Sequence, residues 1–206
     1  SGAGKTTLVD LILGLFEPIS GSIQLDGKKI DESNLPLWQS GIGYVPQSSF
    51  IVDGSIARNI AFGINENEID HQRVRNMASI AQISEFIETE LPQQYDTLVG
   101  DRGVRLSGGQ CQRLSIARAL YYNPSILILD EATSALDGIT EEHVMNAILK
   151  LSGLKTIILI AHRLSTLQEC DMIYLLEKGR LIDQGNYQSL MTNNSNFKRM
   201  AIKNIE

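Results

Sequence analysis

The sequence predicts an α/β protein with a mostly parallel sheet and an inserted block of helices. The apolar runs ILILD and TIILI have the composition of strands that are buried on both faces, as in parallel sheets. Helical periodicity separates these runs and also occurs near the start of the chain, so that strands and helices alternate. Between about residues 55 and 119 the apolar spacing is almost wholly helical, which predicts the inserted block.

The individual elements follow from apolar spacing and from glycine and proline punctuation. The first helix ends where Glu17 precedes Pro18, and glycines bound the short strands that follow. In chain order we predict a helix over 5–16, strands at 21–27 and 41–47, the helical block, a strand at 125–130, a helix over 140–151, a strand at 156–162, a hairpin about Gly179 and a helical tail from Asn186. We therefore assign 1–54 and 120–206 to an α/β core of one domain, and 55–119 to a helical subdomain.

The composition narrows the class of protein. With 206 residues and 43% hydrophobic content, the chain can form one large domain with a buried core. A net charge of −6 disfavours nucleic acid as a partner, because such binders present a basic face to phosphates. Two cysteines, Cys111 and Cys170, are too few for a disulfide framework or a metal cluster, which favours a reducing cytoplasmic setting. No apolar run approaches the roughly 18 residues that span a bilayer.

The chain begins at Ser1 rather than at a methionine, within a glycine motif. We interpret it as a piece of a longer protein that is cut inside this motif. The absence of a signal peptide therefore indicates little about the parent protein.

The opening residues SGAGKTT match the last part of a phosphate-binding loop. In such a loop, backbone N–H groups wrap the phosphates, Lys5 reaches the terminal ones, and the Thr6 hydroxyl coordinates Mg²⁺. A flexible glycine turn is the alternative, but a helical pattern directly after the lysine favours the loop. The predicted nucleotide-binding residues here are Ser1, Gly2, Ala3, Gly4, Lys5, Thr6 and Thr7.

The strand that begins at Ile126 ends in two adjacent carboxylates, Asp130 and Glu131. Open α/β sheets bind their ligands at the carboxyl ends of strands. Asp130 would hold Mg²⁺ through its water shell, and Glu131 would polarise the water that attacks the terminal phosphate. Alternatively the pair caps the strand or the following turn, but its combination with the lysine loop favours chemistry.

The stretch SGGQCQRLSIARAL, which begins at Ser107, joins a glycine pair to an amphipathic helix. A helix N-terminus exposes unpaired N–H groups and the positive end of the helix dipole. With Ser107 as the cap and two residues without side chains, phosphate can approach this surface closely. Taken alone, the stretch is equally consistent with a capped surface helix after a tight turn.

Over essentially its whole length the chain resembles the nucleotide-binding domain of an ABC transporter. Besides SGAGKTT and ILILDE, the family's signature is present as LSGGQ at 106–110, its glutamine loop as YVPQ with Gln47, its D-loop as SALD at 134–137, and its switch histidine as AHR with His162. The resemblance implies a RecA-like P-loop NTPase core with an inserted helical ABC subdomain. It also implies ATP and Mg²⁺ as cofactors.

In this family two nucleotide-binding domains form a head-to-tail dimer, and each signature binds the γ-phosphate of ATP held by the other copy. A phosphate-binding helix start far in sequence from Lys5 fits such a composite site. The resemblance implies that the signature residues that bind nucleotide are Ser107, Gly108, Gly109 and Gln110. It implies that the dimer interface contains Ser134, Ala135, Leu136 and Asp137, although Asp137 also has the alternative role of a helix N-cap. The implied catalytic residues are Glu131, His162 and Gln47, and the implied metal-binding residues are Thr6, Gln47 and Asp130.

Two further segments, FIVDGSIARNIAFG and LVGDRGVRLSGGQ, resemble exporter-type segments that lie beneath the membrane domain. This implies an exporter or flippase with its transmembrane domain N-terminal in the same parent chain and this domain at the cytoplasmic face of the membrane. Every site motif present matches the family pattern, which favours a homodimer and leaves a heterodimer as the alternative. The run at 38–63 is similar to flippases of lipid-linked oligosaccharides. Two alternatives are a soluble ABC ATPase of translation or DNA repair, and a regulatory module that closes on ATP without turnover.

The chain departs from the family pattern at several points. The aromatic residue that stacks on adenine, and the first strands, precede the phosphate loop in relatives, so the fragment alone is expected to bind ATP poorly and to be weak or inactive. Cys111 occupies a position that is usually polar, which suggests sensitivity to alkylation. Asp101 replaces a commoner glutamate.

Overall fold

The structure is a computed structural model that describes residues 2–101, 103–160 and 164–203. Its α-helices are α1 (Lys5–Ile12), α2 (Leu35–Ser40), α3 (Ile56–Ile60), α4 (His71–Ile80), α5 (Ser84–Glu90), α6 (Gly108–Tyr121), α7 (Gly138–Leu149), α8 (Tyr187–Asn193) and α9 (Ser195–Lys203). Its strands are β1 (Gln24–Leu25), β2 (Lys28–Lys29), β3 (Ile42–Val45), β4 (Gly54–Ser55), β5 (Leu98–Val99), β6 (Ile126–Asp130), β7 (Thr156–Ile160), β8 (Ile173–Glu177) and β9 (Arg180–Gly185). The predicted mixture of helices and strands is confirmed.

The chain divides into two packing units, one made of 1–40 with 160–206 and one made of 41–159. The second unit contains both the helical block and the strands β3 and β6. These strands precede and follow the block in the chain, and they pair with each other. The predicted boundaries of the helical subdomain at 55 and 119 therefore do not coincide with the packing units, and that division stays a prediction.

The central sheet has the strand order β3-β6-β7. Strands β3 and β6 run parallel, with Ile42 opposite Ile126 and Val45 opposite Leu129. Leu127, Ile128 and Leu129 are all buried, so β6 is covered on both faces, as the continuous apolar run predicts. The parallel pair brings the carboxyl ends of two strands to one edge of the sheet.

Gly43 of β3 packs closely against the end of α6 and against Pro124. A Cβ at this position would be 2.6 Å from the Ala119 carbonyl oxygen and 2.7 Å from Cγ of Pro124. These are backbone and ring atoms that cannot move aside easily, so any side chain at this position would overpack the site.

Replacing Gly43 with alanine is expected to lower the free energy of unfolding of the full-length protein by about 1–3 kcal/mol, measured by urea denaturation. Gly138→Ala is the matched control, because a Cβ there meets nothing within 4 Å and the residue begins α7. The control is expected to be neutral or stabilising by up to about 1 kcal/mol. Equal unfolding midpoints for the two variants would contradict the overpacking argument.

The helical block packs α3, α4, α5 and α6 around a common apolar core. Ile56, Val74, Ile87 and Leu114 are fully buried in it. The short pairing of β4 with β5, Ser55 opposite Leu98, also lies here, although the sequence pattern predicts only helices and a polar connector. Strands of two residues are too short to show the alternation of apolar and polar residues by which a strand is predicted from sequence.

The unit made of 1–40 and 160–206 carries α1 and the β8–β9 hairpin. Helix α1 ends at Ile12 rather than at 16 as predicted, because Gly14 has a φ of 69° and reverses the chain. Side chains of α2 then bind the carbonyls at this end: Trp38 Nε1 donates to Ile12 at 2.6 Å and Gln39 Nε2 to Leu13 at 3.0 Å.

The predicted hairpin about Gly179 and the predicted helical tail are confirmed as β8–β9, α8 and α9. These elements share a small core of Ile173, Leu190, Phe197 and Ala201. Within the described part of the chain, no helix is both long and apolar enough to cross a bilayer.

Candidate functional site

The glycine loop at the start of the chain has the backbone conformation that the phosphate-loop pattern requires. Gly2 and Gly4 have φ values of 80° and 90°, a left-handed region that disfavours residues with a Cβ. Helix α1 begins directly afterwards at Lys5, so the loop leads into the N–H groups of a first helical turn. Lys5 is half-buried, and Thr6 and Thr7 are exposed. Ser1, the first predicted loop residue, lies outside the described residues.

The turn of the β8–β9 hairpin supports this loop. The Gly179 N–H donates to the Ala3 carbonyl at 3.0 Å, and a Cβ on Gly4 would lie only 3.2 Å from the Gly179 Cα. The hairpin pattern predicts Gly179 as a turn residue but not as a partner of the loop. Two glycines in contact leave no side-chain pattern from which such a partnership could be inferred.

The acidic end of β6 brings predicted residues together. Asp130 is 7% exposed and Glu131 is half-buried at the carboxyl end of the strand. Gln47, two residues after β3, donates from Nε2 to Glu131 Oε2 at 2.7 Å. The contact joins residues 84 positions apart, and it forms because β3 and β6 are parallel neighbours whose ends meet at one edge.

The Nε2 atom of Gln47 is directed at Glu131, because it donates to one oxygen of that carboxylate. The Gln47 side-chain carbonyl oxygen is the other polar atom of the amide, and it can act as an acceptor or a metal ligand. One glutamine therefore orients a carboxylate and can also present an oxygen to a cation.

Arg118 near the end of α6 holds the chain that follows Gln47. Its guanidinium donates to the carbonyls of Asn59 at 2.8 Å and Phe50 at 3.1 Å, and stacks on the Phe50 ring with 4.6 Å to the centroid. Burial lowers the pKa of Arg118, but arginine keeps its charge at neutral pH. The segment after Gln47 is thereby attached to the helix that starts with the signature.

The signature helix α6 begins with a complete capping box. Ser107 Oγ accepts from the Gln110 N–H at 3.2 Å, and Gln110 Oε1 accepts from the Ser107 N–H at 2.7 Å. The predicted capping role of Ser107 is confirmed. α-Helical geometry leaves the N–H groups of Gly108 and Gly109 without an intrahelical acceptor, as an anion-binding helix start requires.

The glycine pair also packs against the D-loop of the same chain. A Cβ on Gly109 would lie 3.1 Å from the Ala135 carbonyl oxygen and 3.3 Å from Leu136 Cδ2, and one on Gly108 would lie 3.5 Å from Ala135 Cβ. Gly109 is therefore required for close packing as well as for an open helix start. Within the chain, the signature and the D-loop form one contact surface.

Asp137 ends the D-loop and caps α7. Its Oδ1 accepts from the Thr140 N–H at 3.0 Å, and this hydrogen bond lowers the pKa of the Asp137 carboxyl. The N-cap role is confirmed, while the predicted dimer-interface role of Ser134, Ala135, Leu136 and Asp137 stays a prediction.

Cys111 is half-buried, and its thiol lies 3.9 Å from the Leu106 carbonyl oxygen. Burial raises the pKa of this thiol. A smaller thiolate fraction argues against the alkylation sensitivity suggested by the sequence.

The predicted site residues belong to different units. The lysine loop belongs to 1–40 with 160–206, whereas Gln47, Asp130, Glu131, the signature and the D-loop belong to 41–159. His162 lies outside the described residues. Sequence reasoning missed Gln112, whose only sequence signal is a polar residue on the buried side of α6.

Together, a glycine loop that starts a helix and a buried parallel strand that ends in two carboxylates define a P-loop nucleoside triphosphatase. A family model described as ABC transporter matches residues 1–134, more than half of the chain. The chain therefore belongs to the ABC transporter family. The family predicted from the motifs is confirmed.

Curated relatives support the same assignment. The heterocyst differentiation ATP-binding protein HepA of Nostoc sp. is 48% identical over 191 residues, which cover 93% of this chain and 31% of that protein. ATP-binding cassette sub-family B member 5 of Mus musculus is 44% identical over 98% of this chain, which corresponds to 16% of that protein. The chain thus spans less than a third of either relative.

A solved structure of a bacterial Atm1-family ABC exporter with ATP bound is similar to this chain, with a TM-score of 0.93 and 39% sequence identity. The match covers 100% of this chain and 36% of the exporter chain. The P-loop fold and its exporter-type relationship are confirmed. The chain is homologous to the ATP-binding domains of ABC exporters. This relationship favours an exporter-type protein over the soluble ATPase of translation or DNA repair.

Proposed function

We propose that this domain is the Mg²⁺-dependent ATPase of an ABC exporter or flippase, in which two copies close around two ATP molecules and drive an attached membrane domain. The observation that carries the proposal is the hydrogen bond of Gln47 to Glu131, beside Asp130 at the end of a buried parallel strand. It orients a carboxylate where a P-loop protein needs a general base.

The donor set fits Mg²⁺. Thr6 would supply a hydroxyl oxygen, Gln47 an amide oxygen and Asp130 a carboxylate oxygen, and hard oxygen ligands are those that Mg²⁺ prefers. When bound, Mg²⁺ neutralises charge on the terminal phosphates of ATP. Asp130 would hold the ion through its water shell, since a buried strand end fixes its carboxylate.

The remaining residues divide the chemistry between them. The loop residues Ser1, Gly2, Ala3, Gly4, Lys5, Thr6 and Thr7 bind the phosphates, with the Lys5 ammonium on the terminal ones. Glu131 accepts a proton from the attacking water, and Gln47 keeps its carboxylate directed. His162 would contact the γ-phosphate and orient Glu131, as the family resemblance implies.

The second copy completes the site. The signature residues Ser107, Gly108, Gly109 and Gln110 of one copy would bind the terminal phosphate held by the lysine loop of the other. Supporting this, α-helical geometry leaves the N–H groups of Gly108 and Gly109 without intrahelical acceptors, and Ser107 and Gly108 are exposed. The exposed D-loop residues Ser134, Ala135 and Asp137 would line the contact between copies.

The parent protein is proposed to carry an N-terminal transmembrane domain, with this domain at the cytoplasmic face of the membrane. Support comes from relatives in which this region is a minor part, 31% of HepA and 36% of the Atm1-family exporter chain. Lipid-linked oligosaccharide is the narrower substrate proposal, and it rests on the resemblance of 38–63 alone.

Cysteine crosslinking in the full-length protein tests the composite site. Ala3→Cys and Arg105→Cys are combined in a Cys111→Ser, Cys170→Ser, Glu131→Gln background and treated with a short bifunctional maleimide. We expect crosslinked dimer only with Mg²⁺ and ATP, because the closed dimer would bring the signature of one copy to the lysine loop of the other. Arg105 is suitable because it is exposed just before the signature. Replacing Arg105→Cys by Ser79→Cys, on the exposed side of α4, is the control and should give no dimer. ATP-independent or absent crosslinking would refute the head-to-tail arrangement.

A further inference from the structure

Gln112 is a buried polar residue that the roles assigned so far do not use. It lies two residues after the signature, in the second turn of α6, and only 2% of its surface is exposed. A buried carboxamide is costly unless its donors and acceptor find partners. The identity of these partners is therefore informative.

Within the described ranges, the hydrogen-bond partners of the Gln112 side chain lie on the segment that follows β6. Nε2 donates to the Glu131 carbonyl oxygen at 3.2 Å and to Ser134 Oγ at 3.3 Å. Oε1 accepts from the Ala135 N–H at 3.0 Å. One side chain of the signature helix thus contacts both the residue proposed as general base and the start of the D-loop.

The contact to Glu131 matters because that residue has a φ of 50°. A left-handed backbone is strained in a non-glycine residue and persists only where the surroundings hold it. The Glu131 carbonyl also accepts from the Ser134 N–H at 3.0 Å. Gln112 is a contact to this carbonyl from outside the turn, and the turn sets the direction in which the Glu131 carboxylate leaves the backbone.

A second contact on the same face of α6 strengthens the connection. Gly109 lies three residues before Gln112, one helical turn away, and it packs against the Ala135 carbonyl. Within the same segment, Thr133 Oγ1 donates to the buried Glu141 of α7 at 2.9 Å. The segment 131–135 is thus held between α6 and α7, and displacement of α6 would act on it directly.

We infer that Gln112 is a positioning residue that couples the signature helix to the Glu131 backbone and the D-loop of the same copy. This inference rests on the proposed function. Since the signature serves one ATP and Glu131 of the same copy serves the other, Gln112 connects the two ATP sites. Binding of phosphate by one signature would then set the geometry of the general base at the second site.

The test uses Gln112→Met in the full-length protein, since methionine has similar length but cannot make these hydrogen bonds. We expect kcat for ATP hydrolysis to fall about tenfold or more, while KM and the Kd for ATP change by less than about twofold. Loss of folded protein would also lower the apparent kcat at unchanged KM, so kcat is calculated per ATP-binding site counted in the ATP titration. A lower kcat per binding site then reports a lost transition-state arrangement.

Ser115→Ala is the matched control. Ser115 lies one turn farther along α6 and is buried, and among the described residues its hydroxyl has no hydrogen-bond partner. Its removal changes the packing of the same helix without removing a hydrogen bond to the segment 131–135, so kcat should stay within about twofold of the wild type. An equal loss in both variants would overturn the inference.

Gln112→Glu provides a second variant should Gln112→Met not fold. The glutamate has the same shape and retains an acceptor for Ala135, but the ionised form cannot donate to the Glu131 carbonyl. We expect its kcat relative to the wild type to rise from about pH 8 to about pH 6, as the buried carboxyl is protonated and donates again.

The outcomes separate this inference from the proposed function. Wild-type kcat in Gln112→Met, a loss confined to ATP affinity, or a pH-independent ratio for Gln112→Glu overturns the role of Gln112 while hydrolysis by the parent remains. Absence of ATP hydrolysis by the wild type overturns the proposed function, and the role of Gln112 with it.

Discussion

Replacing Glu131 with glutamine is expected to lower ATP hydrolysis by the full-length protein by about 10²–10⁴-fold, the range for loss of a general base. Glutamine has the same shape, and its carbonyl oxygen can still accept from Gln47, so the site should stay assembled. It cannot take a proton from water. ATP binding should therefore persist, and a closed ATP-loaded dimer should accumulate; phosphate release and size-exclusion chromatography measure the two effects.

Glu142→Gln is the matched control for this substitution. Glu142 is an exposed residue of α7 and lies away from the end of β6 in sequence. The same chemical change there should leave the hydrolysis rate unaltered. If the Glu131 variant hydrolysed ATP at the parental rate, Glu131 would not be the general base.

Replacing Lys5 with alanine is expected to abolish hydrolysis by a different route, through loss of ATP binding. The ammonium group at the first residue of α1 would pair with the terminal phosphates, and truncating one partner of such a charge pair costs about 2–5 kcal/mol. This corresponds to ATP affinity lowered by a factor of about 30 or more. Titration with a fluorescent ATP analogue measures it directly.

Lys28→Ala is the matched control, since Lys28 is exposed on β2 and its substitution removes the same charge from the same unit. It should bind ATP like the parent. The Lys5 and Glu131 variants together separate binding from chemistry. Retained affinity in Lys5→Ala, or lost affinity in Glu131→Gln, would show that the two roles are assigned wrongly.

Strong local signals explain why the class of fold could be predicted from sequence. The run ILILD can be buried on both faces only in a covered sheet, and the run SGAGKTT specifies a loop before a helix. The capping of α6 by Ser107 and of α7 by Asp137 was equally local, because each cap bonds a backbone group three residues away. Such features depend on neighbours along the chain.

Element lengths were less predictable, because they depend on distant partners. The apolar pattern of the first helix continues to 16, but Gly14 and the side chains of Trp38 and Gln39 end it at Ile12. Likewise the β4–β5 pair joins segments on either side of the three α-helices α3, α4 and α5. Neither outcome has a signature in the apolar spacing.

The motifs in the sequence named Gln47 and Glu131 as functional residues, but only the pairing of β3 with β6 explains why their side chains meet. The same holds for Gly179 beneath the phosphate loop and for Gln112 behind Glu131, which the motifs did not include. Periodicity reports that a residue is buried, because burial repeats along a helix or strand. It does not report what the residue touches, because that partner is chosen by packing between segments far apart in the chain.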